Sequence, residues 1–217
     1  MGRRVLRLEG GAAFGLGDHP TTQGAVEFLE KVLGGGESVL DYGTGSGVLA
    51  ICAKCLGASR VVGVDVDDEA VASAERSWRE TLEASEASGG LFFRSPEDFA
   101  EAEDFAAWLV QEHGQFQVVV ANILRRPLVG LAKALACSCA PGGRLALTGL
   151  RADLGDGEAV REAFSDAFED FVDVDLPGGW LLIEASKRPL ERMATKATPK
   201  RGRFHGDQGV SACSCCH

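Results

Sequence analysis

Short apolar runs alternate with amphipathic helical patterns along this 217-residue chain, and this alternation constrains its fold more than any other feature. Runs rich in valine, leucine, isoleucine and phenylalanine are typical of buried strands. We predict strands at residues 38–42, 60–65, 91–93, 116–121, 144–148, 171–174 and 180–183. We predict helices at residues 21–33, 48–56, 67–82, 97–110, 124–139 and 157–168. Strands that alternate with helices in this way form βαβ units and a mainly parallel sheet.

The last two predicted strands break the alternation. Only residues 175–179 separate them, which is too short for a crossover helix. These strands must therefore form an antiparallel hairpin, a feature that a plain dinucleotide-binding fold does not have. The predicted fold class is α/β and Rossmann-like, with helices on both faces of the sheet and the hairpin at its C-terminal end.

The charge of the chain is unevenly distributed. The net charge is −10, yet Lys and Arg outnumber Asp and Glu by five within residues 186–217, which leaves −15 on the rest of the chain. An acidic body repels nucleic acid phosphates and attracts basic proteins, so we expect a protein partner and no nucleic acid contact outside the tail. No stretch of about 20 apolar residues is present, so we predict no membrane-spanning helix.

The seven cysteines predict a reducing compartment, the cytoplasm or an organelle, because no spacing matches the disulfide framework of a secreted protein. Cys52 and Cys55 have the spacing of a redox dithiol, but they lie within a helical pattern, which favours buried thiols. The terminal Cys-Ser-Cys-Cys-His at residues 213–217 lacks a second Cys or His pair, so we predict no metal site. We expect residues 186–217 to form a basic, cysteine-ended, disordered tail.

The strongest local motif is Val-Leu-Asp-Tyr-Gly-Thr-Gly-Ser-Gly at residues 39–47, where a strand enters a loop with three alternate glycines. Glycine lets such a loop pass close beneath a ligand, and the helix after it offers unpaired N–H groups. Asp41 suits a ligand with a cationic amine, and Asp65 at the end of the second strand suits ribose hydroxyls. We therefore predict cofactor contacts from Asp41, Gly43, Gly45 and Asp65.

Two kinds of cofactor fit this loop. Residues 45–50 also match the dinucleotide pattern, in which the carboxylate of Asp65 would hold the ribose of NAD. Three features favour S-adenosylmethionine: Asp41 stands where dinucleotide folds usually keep an apolar residue, the glycines begin earlier than the dinucleotide register requires, and the chain ends its sheet with a hairpin. A glycine turn without a ligand is a third interpretation, and Asp65 at the matching strand end argues against it.

Asn122 ends the predicted fourth strand, next to the point where strand order reverses and ligands bind. Its amide can accept a hydrogen bond from an amine and hold the nitrogen lone pair toward a methyl donor, which makes Asn122 the candidate catalytic residue. Alternatively, Asn122 caps the following helix. The segment at residues 13–22 is dense in glycine and polar groups, although Thr21 or Thr22 could simply cap the first helix, with Pro20 at its start.

Three segments resemble the PrmA-type methyltransferases, which modify large-subunit ribosomal protein eleven. They are Ala-Phe-Gly-Leu-Gly-Asp-His-Pro-Thr-Thr at residues 13–22, Val-Leu-Asp-Tyr-Gly-Thr-Gly-Ser-Gly-Val-Leu-Ala-Ile at 39–51 and Val-Val-Ala-Asn-Ile-Leu at 119–124. The resemblance covers about residues 10–185. It implies a seven-stranded methyltransferase sheet, S-adenosylmethionine as donor, and methylation of lysine ε-amines and a terminal α-amine of a basic ribosomal protein. By position it implies cofactor contacts at Thr22, Gly43, Asp65 and Asn122.

These features predict three regions: an N-terminal extension at residues 1–12, an S-adenosylmethionine-dependent methyltransferase domain at 13–185 and the tail at 186–217. Members of the resembling family carry a separate N-terminal domain that grips the ribosomal protein, so we expect this sequence to hold the catalytic domain only. Two other functions stay open. One is methylation of a small molecule, and the other is a catalytically weak binding module that lacks the substrate-recognition domain.

Overall fold

The computed structural model describes residues 5–8, 17–83 and 86–190 of the chain. The terminal cysteines, most of the predicted extension and tail, and the first four residues of the 13–22 segment lie outside the described residues. The described part contains seven strands. They are β1 Ser38–Tyr42, β2 Arg60–Asp65, β3 Gly90–Arg94, β4 Phe116–Asn122, β5 Cys139–Arg151, β6 Phe168–Leu176 and β7 Trp180–Lys187.

The strands form one sheet in the order β3-β2-β1-β4-β5-β7-β6. β1 to β5 pair in parallel, and β7 pairs antiparallel with both β5 and β6. The predicted α/β sheet with a C-terminal antiparallel hairpin is therefore confirmed. β1 is buried along its whole length, as expected for a central strand with helices on both faces.

The described residues also contain seven α-helices. They are α1 Pro20–Val32, α2 Val48–Cys55, α3 Asp68–Thr81, α4 Phe99–His113, α5 Arg125–Gly130, α6 Ala132–Ser138 and α7 Asp156–Phe164. The first three pack on one face of the sheet, where the core contains Phe28 and Trp78. The other four pack on the opposite face, where the core contains Leu109 and Phe164.

The helix predicted at residues 124–139 is wrong in two respects. It is divided into α5 and α6 at Leu131, and Cys139, its predicted last residue, begins β5. Gly130 lies at the division, and glycine weakens a helix interior by about 1 kcal/mol relative to alanine. The exposed ring of Phe99 packs where a Cβ at this position would lie, so a larger residue here would displace that ring.

The ends of two other predicted elements also shift. The helix predicted at 157–168 ends at Phe164, and Phe168 begins β6. Both phenylalanines are buried, and their spacing of four residues is also the spacing of one helix face, which explains the overextended prediction. β7 continues to Lys187, whose Nζ donates a hydrogen bond to the Ala136 carbonyl at 2.8 Å. No helix in the described part of the chain is both long and apolar enough to cross a bilayer.

Candidate active site

The predicted site residues lie together at the edge of the sheet where β1, β2 and β4 end. β1 pairs with β2 on one side and with β4 on the other, so the strand order reverses between β1 and β4. Ligands of open parallel sheets bind in the crevice at such a reversal. The glycine loop at residues 43–47 follows β1, Asp65 ends β2 and Asn122 ends β4. Thr22 reaches Asn122 from α1.

Asp65 holds the glycine loop in place. Its Oδ2 accepts a hydrogen bond from Gly45 N at 2.9 Å, and its Oδ1 accepts one from Asp67 N at 3.2 Å. The side chain is half-buried, and each carboxylate oxygen can accept a further hydrogen bond. Asp65 therefore fixes the loop and keeps the capacity to bind two hydroxyl groups, which is its predicted role.

Asp41 lies beneath the loop rather than on its surface. The side chain is fully buried, and its Oδ2 accepts hydrogen bonds from Thr44 Oγ1 at 2.8 Å and Ala50 N at 3.1 Å. Ala50 is the third residue of α2, and Gly47 before the helix has no side chain to cap it, so Asp41 caps α2 from the neighbouring strand. One N–H group expected to be available to a ligand is thus occupied. The predicted contact of Asp41 with a cationic amine stays a prediction.

The buried carboxylate makes the stability of the fold depend on pH. Burial raises the pKa of Asp41 to about 7, while the hydrogen bonds from Thr44 and Ala50 act in the opposite direction. The unfolded chain loses this proton near pH ~3.9, so between about pH 4 and pH 7 the folded chain binds one proton more. The free energy of unfolding attributable to Asp41 therefore falls as pH rises through this window and levels off above it.

We expect Asp41→Asn to remove this decline, because a neutral amide still accepts a hydrogen bond but does not titrate. Urea denaturation at a series of pH values between about 4 and 8 measures the free energy of unfolding of both proteins. The exposed Asp68, changed to Asn, is the control and should keep the wild-type slope. Parallel pH profiles for wild type and Asp41→Asn would contradict the assignment.

Asn122 and Thr22 meet in the crevice. Asn122 Nδ2 donates a hydrogen bond to the buried Thr22 Oγ1 at 3.4 Å, so the amide donor is engaged and the amide oxygen keeps its capacity to accept. Neither residue caps a helix. His19 caps α1, where its Nδ1 accepts from Thr21 N at 3.3 Å, and Leu124 precedes α5 without a side-chain cap. The alternative interpretation of these two residues as helix caps is therefore wrong.

Gly43 allows the loop after β1 to approach the end of β4. Its φ is +82°, a conformation that side chains rarely adopt, and a Cβ there would collide with Cγ2 of Ile123. Its N–H donates to the Val64 carbonyl at 2.7 Å, which ties the loop to β2 as well. Gly43 thus brings the glycine loop close to the residues that follow Asn122.

One wall of the site was not predicted from the sequence. Trp180 packs edge-to-face against His19, with ring centroids 4.7 Å apart, and the Arg151 guanidinium lies 5.2 Å from the Trp180 ring centroid. Because β7 runs antiparallel to β5, its first residue returns to the edge where the parallel strands end. His19 begins the helix that carries Thr22, so this contact ties that helix to the hairpin. The antiparallel hairpin predicted from the sequence implies that Trp180 lies at this edge of the sheet, but it does not imply the contact with His19.

A shallow, open cavity of about 520 Å³ follows the end of β3, the strand next to β2. Residues 94–98, which follow β3, and Glu101 and Phe105 of α4 line it. Ser95 N donates to the Asp65 carbonyl at 2.8 Å, which joins the cavity wall to the end of β2. The cavity thus lies near the end of β2, although Asp65 does not line it.

Cys52 lies within α2, and burial raises the pKa of its thiol to about 12. Such a thiol stays protonated at neutral pH, which favours the interpretation as a buried thiol over a redox dithiol. Within residues 5–8, 17–83 and 86–190, no group of three or more His, Cys, Asp or Glu side chains is placed to hold a metal ion.

Comparison with known proteins identifies a family. The family model for ribosomal protein L11 methyltransferase (PrmA) matches residues 2–188. The ribosomal protein L11 methyltransferase of Burkholderia orbicola (strain MC0-3) is 39% identical over 187 residues, which cover 85% of this chain and 54% of that protein. This chain thus spans about half the length of the curated relatives that it matches.

Solved structures share the fold. The ribosomal protein L11 methylase from Lactobacillus delbrueckii subsp. bulgaricus has a TM-score of 0.63 and 28% identity, over 84% of this chain and 85% of that one. The putative methyltransferase SMU.776, complexed with SAH, has a TM-score of 0.60 over 78% of this chain and 50% of that one. At 11% identity, the second likeness shows the fold alone. Because the family model matches most of its length, this chain belongs to the ribosomal protein L11 methyltransferase (PrmA) family.

Proposed function

We propose that this chain is an S-adenosylmethionine-dependent protein methyltransferase that transfers methyl groups to lysine and terminal amines. The observation that carries the proposal is the convergence of Asp65, Asn122 and Thr22 on the glycine loop, at the crevice between β1 and β4. A carboxylate for hydroxyl groups beside an amide for a reacting amine suits a nucleoside methyl donor and an amine acceptor. The names of the relatives support a ribosomal protein as substrate.

The charged groups around the glycine loop favour S-adenosylmethionine over a dinucleotide. Residues 39–50 contain no Lys or Arg, and the carboxylates of Asp41 and Asp65 both bond to this segment. S-adenosylmethionine carries a sulfonium and an ammonium group and no phosphate, whereas NAD carries a pyrophosphate that seeks unpaired N–H groups at a helix start. At α2 the Ala50 N–H is already bonded to Asp41. A loop without Lys or Arg, beside the carboxylate of Asp65, therefore fits the cationic cofactor better than a pyrophosphate.

In the proposed complex, each site residue contacts a different part of S-adenosylmethionine. Asp65 would hold the ribose hydroxyls, and the cavity near it has room for the adenine base. The glycine loop would pass beneath the methionine portion, because Gly43 and Gly45 present backbone without side chains. Thr22 would close the site from α1, where its contact with Asn122 keeps it at the crevice.

The transfer itself requires position and a neutral amine. When bound, S-adenosylmethionine supplies a methyl group on a good leaving group, so no protein nucleophile is needed. Lysine has a pKa of ~10.4, so the acceptor ammonium must first release a proton to solvent, and desolvation of the acceptor in the crevice favours this release. Asn122 then accepts a hydrogen bond from the neutral amine and directs its lone pair toward the methyl group. Thr22 fixes the amide by accepting from its Nδ2.

Isothermal titration calorimetry tests the cofactor. We expect the chain to bind S-adenosylmethionine and to give no heat with NAD, since the carboxylate of Asp65 lies beside a loop that contains no Lys or Arg. SAH serves as a second probe of the same site. Tight NAD binding without S-adenosylmethionine binding would reverse the assignment.

Incubation with radiolabelled S-adenosylmethionine and a whole-cell lysate tests the acceptor and separates the alternatives. A labelled protein band supports the proposed protein methyltransferase, and purified ribosomal protein L11 then identifies the acceptor. A labelled small molecule indicates a small-molecule methyltransferase. No label from a protein that binds the cofactor indicates a catalytically weak binding module.

A further inference from the structure

The helix α4 exposes an aromatic surface at the β3 side of the sheet. Trp108 is 42% exposed. Its ring packs against three other rings, with centroid distances of 5.5 Å to Phe93, 5.6 Å to Phe105 and 6.0 Å to His113. β3 is the terminal strand of the sheet, and Leu91, on the same face of β3 as Phe93, is 39% exposed. This edge of the sheet therefore presents exposed apolar side chains that a partner protein can cover.

Carboxylates flank Trp108 along the exposed side of α4. Asp104 lies one helical turn before Trp108, and Glu112 lies one turn after it. Both carboxylates are exposed, and neither has an ion-pair partner within the part of the chain that the structure describes. We call Asp104, Trp108 and Glu112 the α4 stripe.

We propose that the α4 stripe binds an extended basic segment of a partner protein, with Lys or Arg at alternate positions. Residues four apart on a helix are about 6.0 Å apart along its axis, and alternate residues of an extended segment are about 6.6 Å apart. Three alternate basic side chains therefore match Asp104, Trp108 and Glu112 in register. The outer two pair with the carboxylates, and the middle one lies over the exposed indole as a cation–π contact.

The charge of the stripe selects this occupant over others. A second copy that docked through its own α4 stripe would be repelled, and so would nucleic acid phosphates or an anionic lipid surface. The occupant also leaves the crevice open, because β3 and β4 are three strand spacings apart in the sheet, about 14 Å. The stripe is thus a docking surface separate from the candidate active site, and it binds whether or not methyl transfer occurs.

Two peptides of equal composition test the register. Gly-Lys-Ser-Arg-Ser-Lys-Gly carries basic residues at alternate positions, and Gly-Lys-Arg-Lys-Ser-Ser-Gly clusters them. Each is titrated at low salt into the isotope-labelled chain while the indole N–H resonance of Trp108 is followed, assigned by its loss in Trp108→Phe. We expect the alternating peptide to bind about fivefold more tightly than the clustered one, and salt to weaken both.

Charge variants test the carboxylates. Asp104→Lys combined with Glu112→Lys should weaken the alternating peptide at least about tenfold, since attraction becomes repulsion. Glu27→Lys combined with Glu30→Lys makes the same charge change on α1, across the sheet, and should change the dissociation constant less than about twofold. If the Asp104→Lys, Glu112→Lys variant has a lowered melting temperature, the milder variant Asp104→Asn with Glu112→Gln is used instead. It should also weaken binding of the alternating peptide, but by a smaller factor.

The combined result decides the proposal. The proposal is supported if the chain prefers the alternating peptide, if charge reversal at Asp104 and Glu112 abolishes this preference, and if the α1 control keeps it. The proposal is overturned if the Trp108 indole N–H resonance does not change, if both peptides bind equally well, or if the charge-reversed variant binds as tightly as wild type.

Discussion

Replacing Asp65 with alanine is expected to weaken S-adenosylmethionine binding at least tenfold in isothermal titration calorimetry. Two losses add in this variant. The ribose hydroxyls lose a charged acceptor, and each such hydrogen bond contributes ~1.5–3 kcal/mol, where ~1.4 kcal/mol is a tenfold change. Gly45 N also loses its partner at 2.9 Å, so the glycine loop is no longer held in its binding conformation.

Two further variants separate these losses from a general effect of charge. Asp68→Ala removes a neighbouring carboxylate that contacts Arg94 at 3.3 Å and not the loop, so its cofactor affinity should stay within about twofold of wild type. Asp65→Asn keeps one oxygen acceptor but loses the charge, and should fall between wild type and Asp65→Ala. If Asp65→Ala binds S-adenosylmethionine as tightly as wild type, Asp65 does not contact the cofactor.

The placement of Asp65 and Asn122 was predictable because it follows from two general rules. Apolar runs locate buried strands, and the carboxyl ends of parallel strands meet at one edge of a sheet. Both residues end such runs, so their proximity follows without any knowledge of packing. The structure adds the partners that this reasoning could not supply, Gly45 for Asp65 and Thr22 for Asn122.

The role of Asp41 could not be predicted from the sequence. Asp41 precedes the first loop glycine by two residues, and this position predicts that its side chain faces the ligand. Side chains alternate along a strand, so Asp41 shares its face with Val39, which packs in the core beneath α1, α2 and α3. Which helix covers that face depends on the packing of the whole sheet. Its role as the cap of α2 therefore emerges only from the folded arrangement.

The contact between His19 and Trp180 was unpredictable for a different reason. It joins the start of α1 to the start of β7, at opposite ends of the described chain, and no local pattern couples two such positions. Only the full strand order brings them to the same edge. The cavity near Asp65 has a more local origin, since the end of β3, the residues after it and the first turns of α4 line it.

Replacing Asn122 with alanine is expected to lower the turnover of methyl transfer at least about a hundredfold, measured with labelled S-adenosylmethionine and purified ribosomal protein L11. In the proposed mechanism the amide oxygen aligns the acceptor amine, and misplacement of a reacting atom by about 1 Å costs roughly a hundredfold in rate. Cofactor affinity should fall much less, because Asp65 and the glycine loop are untouched. Full turnover with unchanged cofactor affinity would end the catalytic role of Asn122.

The pH profile distinguishes this orienting role from a structural one. In Asn122→Asp a carboxylate faces the acceptor, and an opposite charge favours the ammonium form and raises its pKa. The rate should then rise at a higher pH than in wild type, because less neutral amine is present at any given pH. Thr22→Val removes the hydroxyl that accepts from Asn122 Nδ2, so it should lower turnover by about tenfold without moving the profile. A profile that moves equally in both variants would place the effect in the fold of the crevice, not in the amide of Asn122.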